Sequence, residues 1–191
     1  MKTIIISILL FASVPAFTQC RELDIMLLGD MSGSVENHES FLADAFYQFS
    51  NQDFNDIKMG VILFGSQATI LQPLTQDRPE LFRQLVTIRS TKSEGSTNLK
   101  EAFYQSIVEF SHNGRPGVKK MIILVSDGVP DDSIGAALEA DQLKLNGIDL
   151  YTVIIDSSVA NRDYMRNIST QYFDVKYEDL TERLKKINLC L

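Results

Sequence analysis

Short apolar runs alternate with amphipathic helical patterns along most of this chain, and this alternation limits the fold more than any other feature. The runs at 23–28, 57–64, 121–125 and 148–155 are rich in Ile, Leu and Val and nearly continuous in their apolar character, as strands buried on both faces are. Segments with apolar residues at helical spacing follow most of them. Strands joined by helical crossovers explain this order, so we predict an α/β domain with an open sheet covered on both faces.

The remaining elements are less regular. We expect residues 68–74 to form an antiparallel partner of the strand before them, because Gly65 and Ser66 turn the chain back between the two. Asn37 and Thr75 are the expected N-caps of the first two helices. A weak strand near 172–175 and a last helix over about 177–189 complete the predicted order.

Composition excludes several classes of protein. With 191 residues, of which 45% are hydrophobic and 23% charged, the chain suits one domain with a real core and is unlike a disordered segment. Lys and Arg number 18 against 25 Asp and Glu, a formal net charge of −7. This balance argues against a nucleic-acid partner, which requires a basic surface.

The first residues have the pattern of a secretory signal peptide. Lys2 precedes an apolar run at 4–12, and small residues and Pro15 follow it. The run is shorter than the roughly 20 residues of a transmembrane helix, and a buried first strand would leave Lys2 and Pro15 unexplained. We therefore expect a signal peptide over 1–18 and a single domain over 19–191 that is secreted, extracellular or periplasmic, with no transmembrane segment.

The two cysteines lie near opposite ends of the expected mature chain. Cys20 and Cys190 are too few for a disulfide-dense scaffold or a four-cysteine zinc site. In an oxidising compartment they favour one disulfide that joins the termini, which stabilises by roughly 4–5 kcal/mol in the chain-entropy model. Two alternatives stay open. In the first, Cys20 is the lipid-modified cysteine of a bacterial lipoprotein, although Gln19 replaces the usual small residue before it. In the second, both thiols are free.

Polar side chains follow the predicted strands where ligands bind in open α/β sheets, at the carboxyl ends of the strands. The loop after the first strand carries Asp30, Ser32 and Ser34, the stretch before the third helix carries Thr97, and Asp127 follows the strand at 121–125. Carboxylate and hydroxyl oxygens suit a hard divalent cation such as Mg²⁺. Because hydroxyls add no negative charge, a cation held mainly by them favours a carboxylate from outside as its remaining ligand.

Each of these residues has an ordinary structural explanation when it is taken singly. Asp30, Ser32 and Ser34 could cap the following helix, Thr97 could be a helix N-cap, and Asp127 could belong to a simple turn. Together, at places that the fold brings to one edge, they favour a metal site. Other polar residues are interpreted more plainly: Asp131 and Asp132 as the start of the next helix, and His38 and His112 as surface residues.

These five residues resemble the metal-ion-dependent adhesion site of the von Willebrand factor type A domain. That site reads Asp-x-Ser-x-Ser, then a distant Thr and a distant Asp, which here match Asp30, Ser32, Ser34, Thr97 and Asp127. The resemblance covers essentially the whole of 19–191. It implies a doubly wound, Rossmann-like sheet of six strands, mostly parallel, with 68–74 as the antiparallel edge strand.

The resemblance also implies roles for the residues. Ser32, Ser34 and Thr97 would be direct hydroxyl ligands, and Asp30 and Asp127 would act largely through bound water. Extracellular members often join their terminal cysteines, which supports the pairing of Cys20 with Cys190. Met31 occupies the variable position of the motif and does not threaten the site.

The expected function is therefore recognition and not catalysis. Ser32 misses the Gly-x-Ser-x-Gly spacing of a hydrolase by one position, and neither histidine is placed as a base. We expect a secreted or cell-surface, monomeric domain that binds a protein partner through an acidic side chain and Mg²⁺, with Mn²⁺ or Ca²⁺ as alternative ions. The alternatives are a metal-independent interaction module and, less favoured, a Mg²⁺-dependent phosphohydrolase.

Overall fold

The computed structural model has a six-stranded sheet with helices on both faces. It describes residues 22–35, 37–52, 54, 56–187 and 189. The strands are β1 (Leu23–Asp30), β2 (Ile57–Phe64), β3 (Ala68–Thr75), β4 (Lys119–Ser126), β5 (Ile148–Ile155) and β6 (Gln171–Val175). The helices are α1 (Glu39–Ser50), α2 (Arg78–Thr87), α3 (Leu99–Asn113), α4 (Ser133–Leu145), α5 (Val159–Ile168) and α6 (Leu180–Lys185). The signal peptide over 1–18 and the cysteines Cys20 and Cys190 lie outside the described residues, so these stay predictions.

The strand order β3-β2-β1-β4-β5-β6 confirms the predicted doubly wound topology. Strand β3 pairs antiparallel with β2, and all other neighbours are parallel. After β1 the chain builds the sheet to one side through β2 and β3, and it then returns to β1's other side with β4. The carboxyl ends of β1 and β4 therefore flank the point where the strand order reverses, which is where open α/β sheets bind ligands.

Two apolar cores lie on the two faces of the sheet. Helices α1, α2 and α6 cover one face and bury large side chains such as Phe46 and Phe49. Helices α3, α4 and α5 cover the other face, where Phe103 and Leu143 are buried. Helix α1 approaches the end of β1 so closely that a Cβ at Gly29 would lie 2.7 Å from a Leu42 methyl carbon. This packing holds the loop after β1 rigidly against the sheet.

The opposite end of the sheet is closed by an ion-pair network. Asp24, in β1, is fully buried. Arg115 donates to its carboxylate from the backbone N–H over 2.6 Å and from Nε over 2.8 Å. The same guanidinium donates to Asp56 over 2.5 Å. The amino end of β1 is thus held by charge pairing, whereas its carboxyl end carries polar groups of a different kind.

Several predicted helix ends are wrong by one or two residues. Helix α1 starts after His38 and not after Asn37, whose φ of 72° lies in the left-handed region. Thr75 belongs to β3, and Asp77 caps α2 by accepting from the Glu80 N–H over 3.1 Å. The side-chain cap of Asp77 decides the start of α2, whereas His38 makes no side-chain cap hydrogen bond and α1 begins after the left-handed backbone of Asn37. Apolar periodicity reports neither feature.

The last predicted helix is also shorter than expected. A 3₁₀ turn over Tyr177–Asp179 precedes α6, which ends at Lys185 and not near residue 189. Within the described residues, none of the helices combines the length and the apolar character needed to cross a bilayer.

Candidate metal centre

The Asp30 side chain is fixed by the ends of two strands. Its Oδ1 accepts a hydrogen bond from the Ser32 N–H over 2.9 Å, which tightens the loop after β1. Its Oδ2 accepts one from the Ser126 hydroxyl, at the end of β4, over 2.6 Å. The residue is only 3% exposed. Asp30 therefore joins the two strands at the point where the sheet order reverses.

Ser32, Ser34 and Asp127 form a chain of side-chain contacts beside Asp30. The two serine Oγ atoms are 3.1 Å apart, and the Ser34 hydroxyl donates to Asp127 Oδ1 over 2.9 Å. The Asp-x-Ser-x-Ser spacing lets both hydroxyls turn the same way out of the loop that follows β1. Four of the five residues singled out in the sequence are thus linked by hydrogen bonds, directly or through a neighbour.

Thr97 reaches the same edge through its backbone. The Thr97 N–H donates to Asp131 Oδ2 over 3.0 Å, and the Asp131 N–H donates back to the Thr97 carbonyl over 3.2 Å. The Gly33 N–H donates to the Gly95 carbonyl over 3.1 Å, which ties the two loops together. Among the described residues, the Thr97 side chain makes no hydrogen bond to the other four.

Thr97 is not the N-cap of α3, which is one of the structural roles considered for it. Asn98 is the cap, and its side-chain oxygen accepts from the Glu101 N–H over 3.2 Å. Asp132 caps α4 by accepting a hydrogen bond from the Gly135 N–H over 2.8 Å. This agrees with its predicted place at the start of that helix. Asp131, expected to share that role, instead holds the loop of Thr97.

The two carboxylates of the centre have no Lys or Arg partner among the described residues. Burial is the main cause that raises the pKa of Asp30 from 3.8 to about 6, and burial also raises the pKa of Asp127. No Lys or Arg side chain among the described residues forms an ion pair with either one. A cation bound here would neutralise both carboxylates, since ionised groups are costly to bury unless they are paired or coordinate a metal.

The donor atoms fit a hard cation. The described residues contain no group of three or more His, Cys, Asp and Glu side chains able to hold a metal ion. The centre offers instead two carboxylates among three hydroxyls, which are the all-oxygen ligands that Mg²⁺ and Mn²⁺ accept. The residues present are therefore compatible with such an ion.

Sequence reasoning missed four residues around this centre. Ser126 and Asp131 were assigned no positioning role, although each precedes or follows a predicted site residue closely in the chain. His38 is not a plain surface residue, because its ring stacks on Tyr177 with the centroids 3.8 Å apart and its Nδ1 is buried. Both rings line a small cavity beside Asp30. No periodicity signals this contact, since the two residues are far apart in the chain.

His112 agrees better with its interpretation. It is exposed near the end of α3, and its Nδ1 lies 2.9 Å from the Val108 carbonyl of the same helix.

Comparison with known proteins decides the family. A model of the von Willebrand factor type A (VWA) domain matches residues 24–187. The chain belongs to this family. The VWA domain described here covers nearly all of the residues that the structure describes, and the family membership agrees with the six-stranded topology above.

This VWA domain is similar in sequence to a curated Plasmodium protein and in fold to several solved structures. Thrombospondin-related anonymous protein of Plasmodium falciparum is 28% identical over 138 residues, which are 66% of this chain and 25% of that protein. The manganese-loaded TRAP protein of Plasmodium vivax superposes with a TM-score of 0.69 at 20% identity, over 87% of this chain and 72% of that one. At that identity the superposition shows the fold alone.

A second solved structure is described with zinc in its own metal-ion-dependent adhesion site (MIDAS) motif. Proximal thread matrix protein 1 from the mussel byssus, with a zinc-occupied MIDAS motif, superposes with a TM-score of 0.74 at 16% identity. The match covers 91% of this chain and 46% of that one. The VWA domain thus spans a quarter of the curated relative and about half of the mussel protein.

Proposed function

We propose that this VWA domain binds a protein partner through a divalent cation at the carboxyl ends of β1 and β4. The observation that carries the proposal is Asp30, a buried carboxylate at the sheet's reversal point that lies among hydroxyl groups and has no cationic partner among the described residues. Family membership and the relatives support a role in protein interaction, and two of the structural relatives are described with manganese or zinc.

The side chains of the centre have distinct roles in this proposal. The hydroxyls of Ser32, Ser34 and Thr97 hold the cation directly, while Asp30 and Asp127 act largely through bound water. When bound, the cation supplies an electrophilic position that accepts a carboxylate from the partner. Mg²⁺ is the proposed ion because all donors are hard oxygens, and Mn²⁺ or Ca²⁺ are alternatives.

The proposal includes the setting of the domain. It is a non-enzymatic, exported protein, secreted or at the cell surface, whose first 18 residues are removed as a signal peptide. The pairing of Cys20 with Cys190 joins the ends of the mature chain. The partner is an extracellular, surface or matrix protein that presents an acidic side chain.

An open coordination position can be tested with Mn²⁺. Water bound to this paramagnetic ion speeds proton relaxation, so a ligand that displaces the water slows it. We expect acetate and a short, C-terminally amidated Glu-containing peptide to lower the water relaxation rate of the Mn²⁺-loaded protein, and the matched, likewise amidated Gln peptide to leave it unchanged.

Two results would overturn the proposal. One is a protein that does not enhance water relaxation when Mn²⁺ is added, since no ion is then held. The other is a relaxation rate that Glu and Gln peptides change equally, since the position then does not select a carboxylate. Ser111→Ala, which removes an exposed hydroxyl far along α3, is the matched control and should behave as the wild type does.

A further inference from the structure

Helix α4 exposes large apolar residues and buries small ones, which is the reverse of what is expected for a surface helix. The residues that face the sheet are small, namely Gly135, Ala136 and Ala140, with Leu143 as the one large side chain. The large residues Ile134, Leu138 and Leu145 are 76%, 62% and 78% exposed. Surface helices normally bury their large apolar side chains and expose polar ones.

These exposed residues form one stripe. Positions 134, 138 and 145 are spaced by 4 and 7 residues, so they lie on the same side of the helix along almost its whole length. Singly exposed apolar residues are common on soluble proteins. Three large ones aligned on one helix are typical of a surface that a partner covers. We call these three residues the α4 stripe.

An open groove runs beside the α4 stripe, between α3 and α4. Its volume is about 570 Å³, and Tyr104 of α3, which is 58% exposed, forms part of its wall. Glu139 of α4 also lines it. The three residues of the α4 stripe do not line the groove, which comes nearest to the stripe where Leu138 precedes Glu139 in the chain. The groove extends to Ser96 and Asn98, on either side of Thr97, and thus reaches the edge of the metal centre.

The charge of the groove selects its occupant. The charged side chains that line it are four carboxylates and one ammonium group: Glu101, Asp131, Asp132, Glu139 and Lys100. Lys100 lies 3.4 Å from Asp132 and offsets that carboxylate alone. Glu139 has no ion-pair partner among the described residues. A Lys or Arg side chain would complement the groove and could stack on the exposed face of Tyr104.

A second copy of this chain does not fit this surface well. The chain has a formal net charge of −7, and a symmetric dimer through this face would place two such acidic grooves near one another. A basic, partly aliphatic protein segment meets both halves of the surface, because its aliphatic side chains cover the α4 stripe and its cation enters the groove.

We infer that α3 and α4 form a second recognition surface, which binds a segment of a partner protein that carries Lys or Arg flanked by aliphatic residues. This surface goes beyond the metal-dependent binding proposed above, because binding to it needs no metal ion. Its position next to Thr97 places it where a partner held at the metal centre would extend along the domain.

The test selects peptides without the metal. The protein is immobilised in EDTA and presented with a phage library of random 12-residue peptides, and the most enriched peptide is synthesised for calorimetric titration. We expect enriched peptides to carry Lys or Arg between aliphatic residues. Leu138→Gln and Glu139→Gln should each weaken the synthesised peptide at least tenfold, whereas Val86→Gln, at a 55% exposed position on α2, should not.

Three outcomes would overturn the inference. The first is the absence of any enriched peptide, and the second is enrichment of peptides that are not basic or that bind the α4 variants as they bind the wild type. The third is a wild-type dimer in sedimentation equilibrium that Leu138→Gln dissociates, since the occupant is then a second copy. Because EDTA removes every divalent ion, these results are independent of the Mn²⁺ experiment.

Discussion

At the residue scale, the buried carboxylate of Asp30 lowers the stability of the protein without metal. Burial raises its pKa from 3.8 to about 6, so the folded state binds the proton more tightly than the unfolded chain does. Above about pH 6 the carboxylate is ionised in both states, and its buried charge destabilises the fold. Below about pH 3 it is largely protonated in both states, and the cost disappears.

Asp30→Asn should therefore stabilise the metal-free protein at neutral pH. The pKa difference corresponds to roughly 3 kcal/mol at most, so in EDTA at pH 8 we expect the variant to unfold at higher urea concentration than the wild type. At pH 3, below both pKa values, the difference should nearly vanish. Added Mn²⁺ should stabilise the wild type more than the variant at pH 8, because the variant lacks the negative charge of Asp30 beside the ion and binds it more weakly. Equal midpoints at pH 8, or equal stabilisation of both proteins by Mn²⁺, would argue against an uncompensated charge at Asp30.

Asp131 should act on the metal centre without contacting the ion, because its carboxylate holds the Thr97 N–H. Asp131→Ala removes that acceptor and should weaken Mn²⁺ binding about tenfold, as the loss of a supporting hydrogen bond does in other metal sites. Asp131→Asn keeps an oxygen acceptor and should restore most of the affinity. Calorimetric titration measures both, and an unchanged affinity for Asp131→Ala would show that Thr97 needs no such support.

At the element scale, one row of side chains on α3 satisfies the backbone of the neighbouring strand β3. Glu101 accepts from the Ala68 N–H over 3.1 Å, and Glu109 accepts from the Leu74 N–H over 2.8 Å. Gln105, midway between them, donates to the Ala68 carbonyl over 2.9 Å. Strand β3 is an edge of the sheet, and unpaired edge groups invite pairing with other chains. Helix α3 thus protects this edge.

Glu109→Ala should leave the buried Leu74 N–H without an acceptor. We expect a loss of roughly 1–3 kcal/mol in the free energy of unfolding, measured by urea denaturation, and faster hydrogen exchange at the Leu74 amide. Glu109→Gln keeps an acceptor and should cost less than half as much. Equal stability of the alanine variant and the wild type would mean that water replaces the carboxylate there.

The elements differ in how far the sequence predicts them. Strands β2 and β5 were predicted to the residue, because each is a continuous apolar run that needs burial on both faces. The starts of α1 and α2 were missed, since the left-handed backbone of Asn37 and the side-chain cap by Asp77 are local features that apolar spacing does not report. The α4 stripe also escaped notice, because apolar spacing alone does not tell which face of a helix is buried.

The same distinction holds at the candidate site. The residues of the Asp-x-Ser-x-Ser loop could be found because they are close in the chain and follow a strand. The predicted topology then placed Asp127 beside them, and the structure joins it to Ser34. The stacking of His38 on Tyr177 depends on the packing of α1 against the turn before α6, and sequence patterns do not report such a long-range contact.

At the scale of the whole molecule, the two ends of the sheet carry charge for different purposes. At the amino end, Arg115 compensates the buried Asp24 within the chain itself. At the carboxyl end, Asp30 is buried without such a cation. The ion pair of Arg115 and Asp24 therefore has a structural role at one end of the sheet. The carboxylate of Asp30 makes the other end suited to an ion from outside.

Arg115→Met should separate these two roles. It leaves Asp24 buried without its partner, a change that typically costs 3–5 kcal/mol, so the urea midpoint should fall clearly. The affinity of the folded protein for Mn²⁺, measured well below that midpoint, should remain that of the wild type. A parallel loss of metal affinity would show that the two ends of the sheet are coupled.

The central claim, that hydroxyls at the end of β1 and before α3 hold a divalent cation, is tested most directly by titrating Mg²⁺ into the metal-free protein in a calorimeter. We expect one ion per chain for the wild type and for the Ser111→Ala control, and at least tenfold weaker binding for Ser34→Ala and Thr97→Val. If the wild type binds no Mg²⁺, or if all four proteins bind it equally, the cation does not depend on these hydroxyls and the proposed site is wrong.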